Sequence, residues 1–140
     1  MKPNRKDLEV AILDRMLGRN NYSLANPLGQ TPSLLALVKT QAGKMYYLYF
    51  DLTGYPEECP STFVKAELKD WKGNPLSTTD ASMHCYGYWN GMTKLCLGWT
   101  SEWTPGAHLF ALYVRGKIWL ECYDRHLVTG KPIDYYLKHA

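Results

Sequence analysis

Apolar and polar positions change period several times along the chain, and each change marks an element. Over residues 5–18, Leu8, Ala11, Ile12 and Met16 share one helical face, while Arg5, Lys6, Glu9 and Asp14 lie elsewhere. This predicts a short helix, stopped by Gly18 and Asn20-Asn21. Three strand-like runs follow, at about 33–40, 44–52 and 62–71. Ala42-Gly43 suits a tight hairpin between the first two, and Tyr55 to Pro60 separates the second from the third. Together with a further short apolar strand just before Cys96, these predict an antiparallel meander of about four strands. Residues 76–103 carry no clean period and hold Gly87, Gly91 and Gly98 with Trp89, Trp99 and Trp103. A long irregular segment inside a compact domain is often functional.

The second helix signal is stronger. From 105 to 125, Leu109, Leu112, Tyr113, Gly116, Trp119, Leu120 and Tyr123 recur at steps of three and four. His108, Arg115, Lys117, Glu121 and Asp124 fall off that stripe. Thr104 is the predicted cap and Pro105 the first helical residue, where a missing N–H costs nothing. Val128 to Pro132 ends the helix, and the tail from 134 to 140 has no assignment. The order helix, meander, irregular segment, helix predicts an α+β fold, with a single domain over 1–140.

Composition narrows the function. A chain of 140 residues with 46% hydrophobic and 21% charged positions suits one domain with its own core. The net charge of +3 is small and no Lys/Arg stripe forms, which argues against nucleic acid as a partner. The first twenty residues contain no continuous apolar stretch, so neither a signal peptide nor a membrane span is expected. Cys59, Cys85, Cys96 and Cys122 form no CxxC pair, and with the four histidines they lack the paired spacing of zinc sites. No metal and no cofactor are expected, and the thiols point to a reducing, cytoplasmic compartment.

Among the thiols, Cys96 stands apart. Leu95 and Leu97 flank it, and if they face the core the alternation turns Cys96 outward. Gly98 and the surrounding aromatics suit an accessible loop, which a nucleophile needs. His84 precedes it by twelve residues on the same segment, either as a base or as a hydrogen-bonded lock on the loop. Cys122 and Cys59 read as packed thiols, and a Cys85–Cys96 disulfide is disfavoured by a reducing compartment. Trp89 and Trp99 are candidates for partner docking, with packing under the loop as the alternative.

These motifs, in this order, resemble the ubiquitin-conjugating enzymes over residues 33–132. Tyr55-Pro56-Glu57-Glu58-Cys59-Pro60 stands where that family has a Tyr-Pro-x-x-Pro segment, followed by a strand. His84 matches the His of a His-Pro-Asn motif, although Cys85 and Tyr86 replace the Pro and Asn. Asn90-Gly91 is similar to a turn before the catalytic strand. Leu95-Cys96-Leu97 is similar to the catalytic Ile-Cys-Leu, and Trp103-Thr104-Pro105 to the Trp-Ser/Thr-Pro opening the next helix. The resemblance implies a thioester on Cys96 to a protein C-terminus, passed on to an amine. It also implies the family's fold with a truncated C-terminus, the tail being too short for two further helices. The missing Asn leaves the oxyanion group open; Asn90, the Tyr86 or Tyr88 hydroxyl, or backbone N–H groups are candidates.

Both departures are similar to bacterial conjugating domains of antiphage operons, and Ile118 to Pro132 resembles their helix-to-tail segment. The partners implied are an activating (adenylating) enzyme or, in CBASS operons, a cGAS-like nucleotidyltransferase; a ubiquitin-like protein is the alternative cargo. Two other classes remain open. One is a catalytically inactive adaptor of the same fold. The other is a Cys–His hydrolase, for which the sequence offers no obvious Asp or Asn to orient His84.

Overall fold

The computed structural model describes residues 5–25, 32–78, 81–97 and 103–138. Helix α1 (Arg5–Met16) leads through a short 3-10 turn to strand β1 (Tyr22–Ala25). Strands β2 (Ser33–Lys39), β3 (Met45–Asp51) and β4 (Ser61–Val64) follow, then the hairpin β5 (Cys85–Trp89) and β6 (Met92–Leu95). Helix α2 (Leu109–Thr129) and a short helix α3 (Ile133–Lys138) complete the described chain. The strands make one antiparallel sheet in the order β1-β2-β3-β4-β6-β5. The α+β class is therefore as expected, but the sheet is larger than predicted: β1 to β4 form a meander, and the β5–β6 hairpin joins it in reversed order, through β6. β1 was not foreseen, the third predicted run shortens to four residues, and the supposedly irregular segment contains a hairpin. Its alternation is hidden because Gly87 is buried and the register shifts by a bulge between Cys85 and Gly87.

The core lies between one sheet face and α2. Leu34, Ala36 and Val38 of β2 align with Phe50, Leu48 and Tyr46 of β3, and Leu48 in turn with Val64 of β4. All seven positions of the apolar stripe on α2 are buried. Each fully buried Leu there contributes about 1.5–3 kcal/mol relative to exposure. Gly116 sets how close the helix comes: a methyl group at its Cα would sit 2.6 Å from Leu48 Cδ1. Asp124, expected off the stripe, is buried as well. It accepts a hydrogen bond from the Tyr46 hydroxyl at 2.5 Å, and Lys44 lies 3.9 Å away.

Helix α1 departs most from expectation. Its buried positions are Glu9 and Leu13, while Leu8 and Met16 are exposed. Glu9 decides this orientation. Its carboxylate accepts from Arg5 Nε at 3.0 Å, the Tyr55 hydroxyl at 2.7 Å, His108 Nδ1 at 3.0 Å and the Leu109 N–H at 3.0 Å. Burial alone would push its pKa up, yet the bonds from His108, Tyr55 and the Leu109 N–H outweigh it, and the pKa is lowered. The last of these bonds satisfies a free donor at the start of α2. The cap is thus Glu9 and not Thr104: residues 104–107 form a turn closed by the Ala107 N–H to Thr104 carbonyl bond, and the helix starts at Leu109.

Candidate functional site

The thiol follows β6 directly. Leu95 is buried, Leu97 packs against the core, and Cys96 between them is half-exposed, as the alternation predicts. The Cys96 N–H donates to the His84 carbonyl at 2.9 Å, which extends the hairpin ladder by one rung. His84 itself has φ +49°, a left-handed conformation uncommon outside glycine. Three hydrogen bonds of its backbone hold it there, and a fourth contact engages its ring. Its N–H donates to the Ala81 carbonyl at 3.1 Å, closing a 3-10 turn at Ala81–Met83. Its carbonyl accepts from Trp119 Nε1 at 3.0 Å as well as from Cys96. Its ring Nε2 lies 2.8 Å from Asp134 Oδ1 in the first turn of α3.

Asp134 is the residue that sequence reasoning missed, in a tail left without assignment. The signal was there: Pro132 followed by Ile133-Asp134 is an acidic first turn after a proline. The hydrolase reading lacked a group to orient His84, and Asp134 fills that place. A carboxylate only accepts, so Nε2 carries a proton, which in a neutral ring leaves the lone pair on Nδ1.

His84 and Cys96 border one cleft of about 440 Å³. Its other walls are Leu97, Ile118, Trp119 and Leu137, with Arg115 as the charged member. The Arg115 guanidinium donates to the Leu97 carbonyl at 3.0 Å and so fixes the backbone just after the thiol. Tyr86 interacts with the thiol from outside this cleft, lining a separate pocket with Lys94, Leu95 and Leu97. Its pKa is raised, first by hydrogen bonding with the Cys96 thiol and then by burial, so it remains an O–H donor at neutral pH. The Lys94 ammonium lies 5.5 Å from the centre of its ring. Thiol, imidazole, carboxylate and phenol thus come together from β6, the turn before β5, α3 and β5.

The other candidates lie elsewhere. Asn90 (φ +53°) and Gly91 (φ +78°) form the two-residue turn joining β5 to β6. Both are left-handed, as a type I′ hairpin requires. Cys96 lies five positions along the chain from Gly91, beyond the four residues of β6, roughly 17 Å at ~3.4 Å per residue, so the structure does not bring Asn90 to the thiol. Trp89, at the same end, is half-exposed on the sheet face away from α2 and packs on Phe63 with ring centres 5.3 Å apart. Trp99 lies outside the described residues. Trp103 packs: its Nε1 donates to the Pro56 carbonyl at 2.7 Å, and its ring meets Tyr55. The Tyr88 hydroxyl donates to the Leu68 carbonyl and is thereby engaged. Cys122 is buried, and burial raises the pKa of Cys59, Cys85 and Cys122 alike.

Among the described residues no group of three or more His, Cys, Asp or Glu side chains is arranged to hold a metal ion. None of the described helices is long and apolar enough to cross a membrane. No protein-family model, curated protein or solved structure matches the chain.

Proposed function

We propose that the protein is a cysteine acyl carrier of the ubiquitin-conjugating type. The observation that carries this reading is Cys96: a partly exposed thiol, pinned by its own N–H to the His84 carbonyl, sharing a cleft with His84 and hydrogen-bonded with the Tyr86 hydroxyl. Cys96 attacks an acyl thioester on a partner. A C–S bond forms at Cys96 and the partner's C–S bond breaks, releasing the partner's thiol. The acyl group is a protein C-terminus, and an amine takes it in the second step. Proximity and orientation supply much of the rate in such exchanges. The partner is an activating enzyme, and the cargo a ubiquitin-like protein or a cGAS-like nucleotidyltransferase, in cytoplasmic antiphage defence. Tyr86 takes the oxyanion role for which the motif lacks its Asn.

The test is intact-mass spectrometry of Cys96→Ser, expressed with the genes that flank its own. Serine traps the cargo as an oxyester. An added mass matching a neighbour's chain, absent in Cys96→Ala, is the expected result. A bare Cys96→Ser protein, with wild type also bare under non-reducing conditions, refutes the carrier reading. A second reading, a Cys–His–Asp hydrolase, is favoured by Asp134 on His84; it predicts turnover of a small thioester with water as the acceptor.

A further inference from the structure

We infer that the His84–Asp134 pair acts in the second half of the reaction, as the base that takes the proton from an attacking primary amine of the lysine type. The inference rests on the carrier reading of Cys96. One expectation for His84 is a lock on the loop, and its backbone does serve as one through Cys96 and Trp119. The ring does something separate. Its Nε2 is engaged by Asp134 at 2.8 Å, and both side chains remain about 30% exposed, at 28% and 30%. A lock on the loop needs only the carbonyl and the N–H. A carboxylate placed on the ring selects one tautomer and aims it.

The cleft says which acceptor suits. Leu97, Ile118, Trp119 and Leu137 give apolar walls that match a four-methylene stem. An apolar wall disfavours a charged ammonium, and the Arg115 guanidinium disfavours it again, so an entering lysine is held as the neutral nucleophile. When its nitrogen attacks the thioester carbon, the C–N bond forms and the C–S bond to Cys96 breaks. The amine proton passes to His84 Nδ1 and from there to the departing Cys96 sulfur. The Asp134 carboxylate balances the imidazolium while it exists. Asp134 touches no reacting atom and is a positioning residue.

The experiment separates the two half-reactions. Wild type, His84→Gly and Asp134→Asn are charged on Cys96 with a short acetyl-Gly-Gly thioester of mercaptoethanesulfonate, desalted, and mixed with Nα-acetyl-lysine amide. Intact mass follows both steps. Glycine suits the left-handed backbone of His84, so the loop persists in that variant. All three proteins are charged to completion before the desalting step, and the expected result is aminolysis of the charged forms slower by about 100-fold in His84→Gly and about tenfold in Asp134→Asn. Added imidazole restores His84→Gly but not Asp134→Asn. Unchanged aminolysis in both charged variants overturns this inference and leaves the carrier reading standing. Failure of wild-type Cys96 to take the acyl group overturns both. Discharge of the wild type to water as fast as to the lysine derivative overturns it in favour of the hydrolase.

Discussion

Gly116→Ala tests how α2 is seated on the sheet. The new methyl group would lie 2.6 Å from Leu48 Cδ1 and 3.3 Å from Cδ2, and Leu48 is fully buried in the middle of the sheet. Leu48 is flanked by Ala36 on β2 and Val64 on β4, so it has no open side to turn into. Overpacking of this kind costs roughly 1–3 kcal/mol. Against it stands the gain of replacing glycine within a helix, about 1 kcal/mol. The net expectation is a loss of about 1 kcal/mol, or roughly 0.5 M in the urea midpoint for a slope of ~2 kcal/mol/M. The same change in a Leu48→Ala background should reverse sign. There the large cost of the cavity, about 2–5 kcal/mol, is already present, and the added methyl partly fills it. Urea unfolding of the four proteins measures the cycle. A Gly116→Ala protein more stable than wild type, or an equal effect in both backgrounds, would refute the close approach of α2 to β3.

Two further expectations follow from single residues. Glu9 has a lowered pKa in the fold, so its contribution is complete above its ordinary value of 4.5 and is lost as pH falls through the lower folded value. Stability measured by urea unfolding should therefore decline below pH 4.5 in wild type, and Glu9→Gln should be less stable at neutral pH with a flatter decline; parallel curves would exclude this role. Asn90→Ala places a Cβ-bearing residue without a local side-chain hydrogen bond at φ +53° and should cost about 1–2 kcal/mol while leaving the charging of Cys96 untouched. Slower charging in that variant would return Asn90 to the reacting centre.

What the sequence made legible depended on whether a residue's partner was local. The stripe on α2 needs only its own period, and all seven of its positions are buried. The Asn90-Gly91 pair marks a turn by its own backbone preference, and it is one, although its place in the catalytic order suggested more. Cys96 is partly exposed next to the buried Leu95, as the alternation indicates, although Leu97 is only partly buried too. Residues with distant partners were misread. Glu9 looks solvated until Tyr55, His108 and Leu109 converge on it, and Asp124 until Tyr46 does. The cap of α2 was sought next to the helix, at Thr104, but comes from a residue 100 positions away. The short helix that carries Asp134 has a local signal, but its pairing does not: nothing near it in the chain indicates that a histidine 50 residues earlier will meet it.

That separation has a consequence for the order in which the protein becomes competent. The thiol, its hairpin and the strands beside them are synthesised before α2, and α3 emerges after both. A nascent or clipped chain lacking Asp134 would carry Cys96 and a His84 with no carboxylate to aim it. On the proposed chemistry such a chain accepts cargo readily and releases it slowly, so it sequesters what it should deliver. On that proposed chemistry, selective loss of α3 would turn a carrier into a trap for its own cargo.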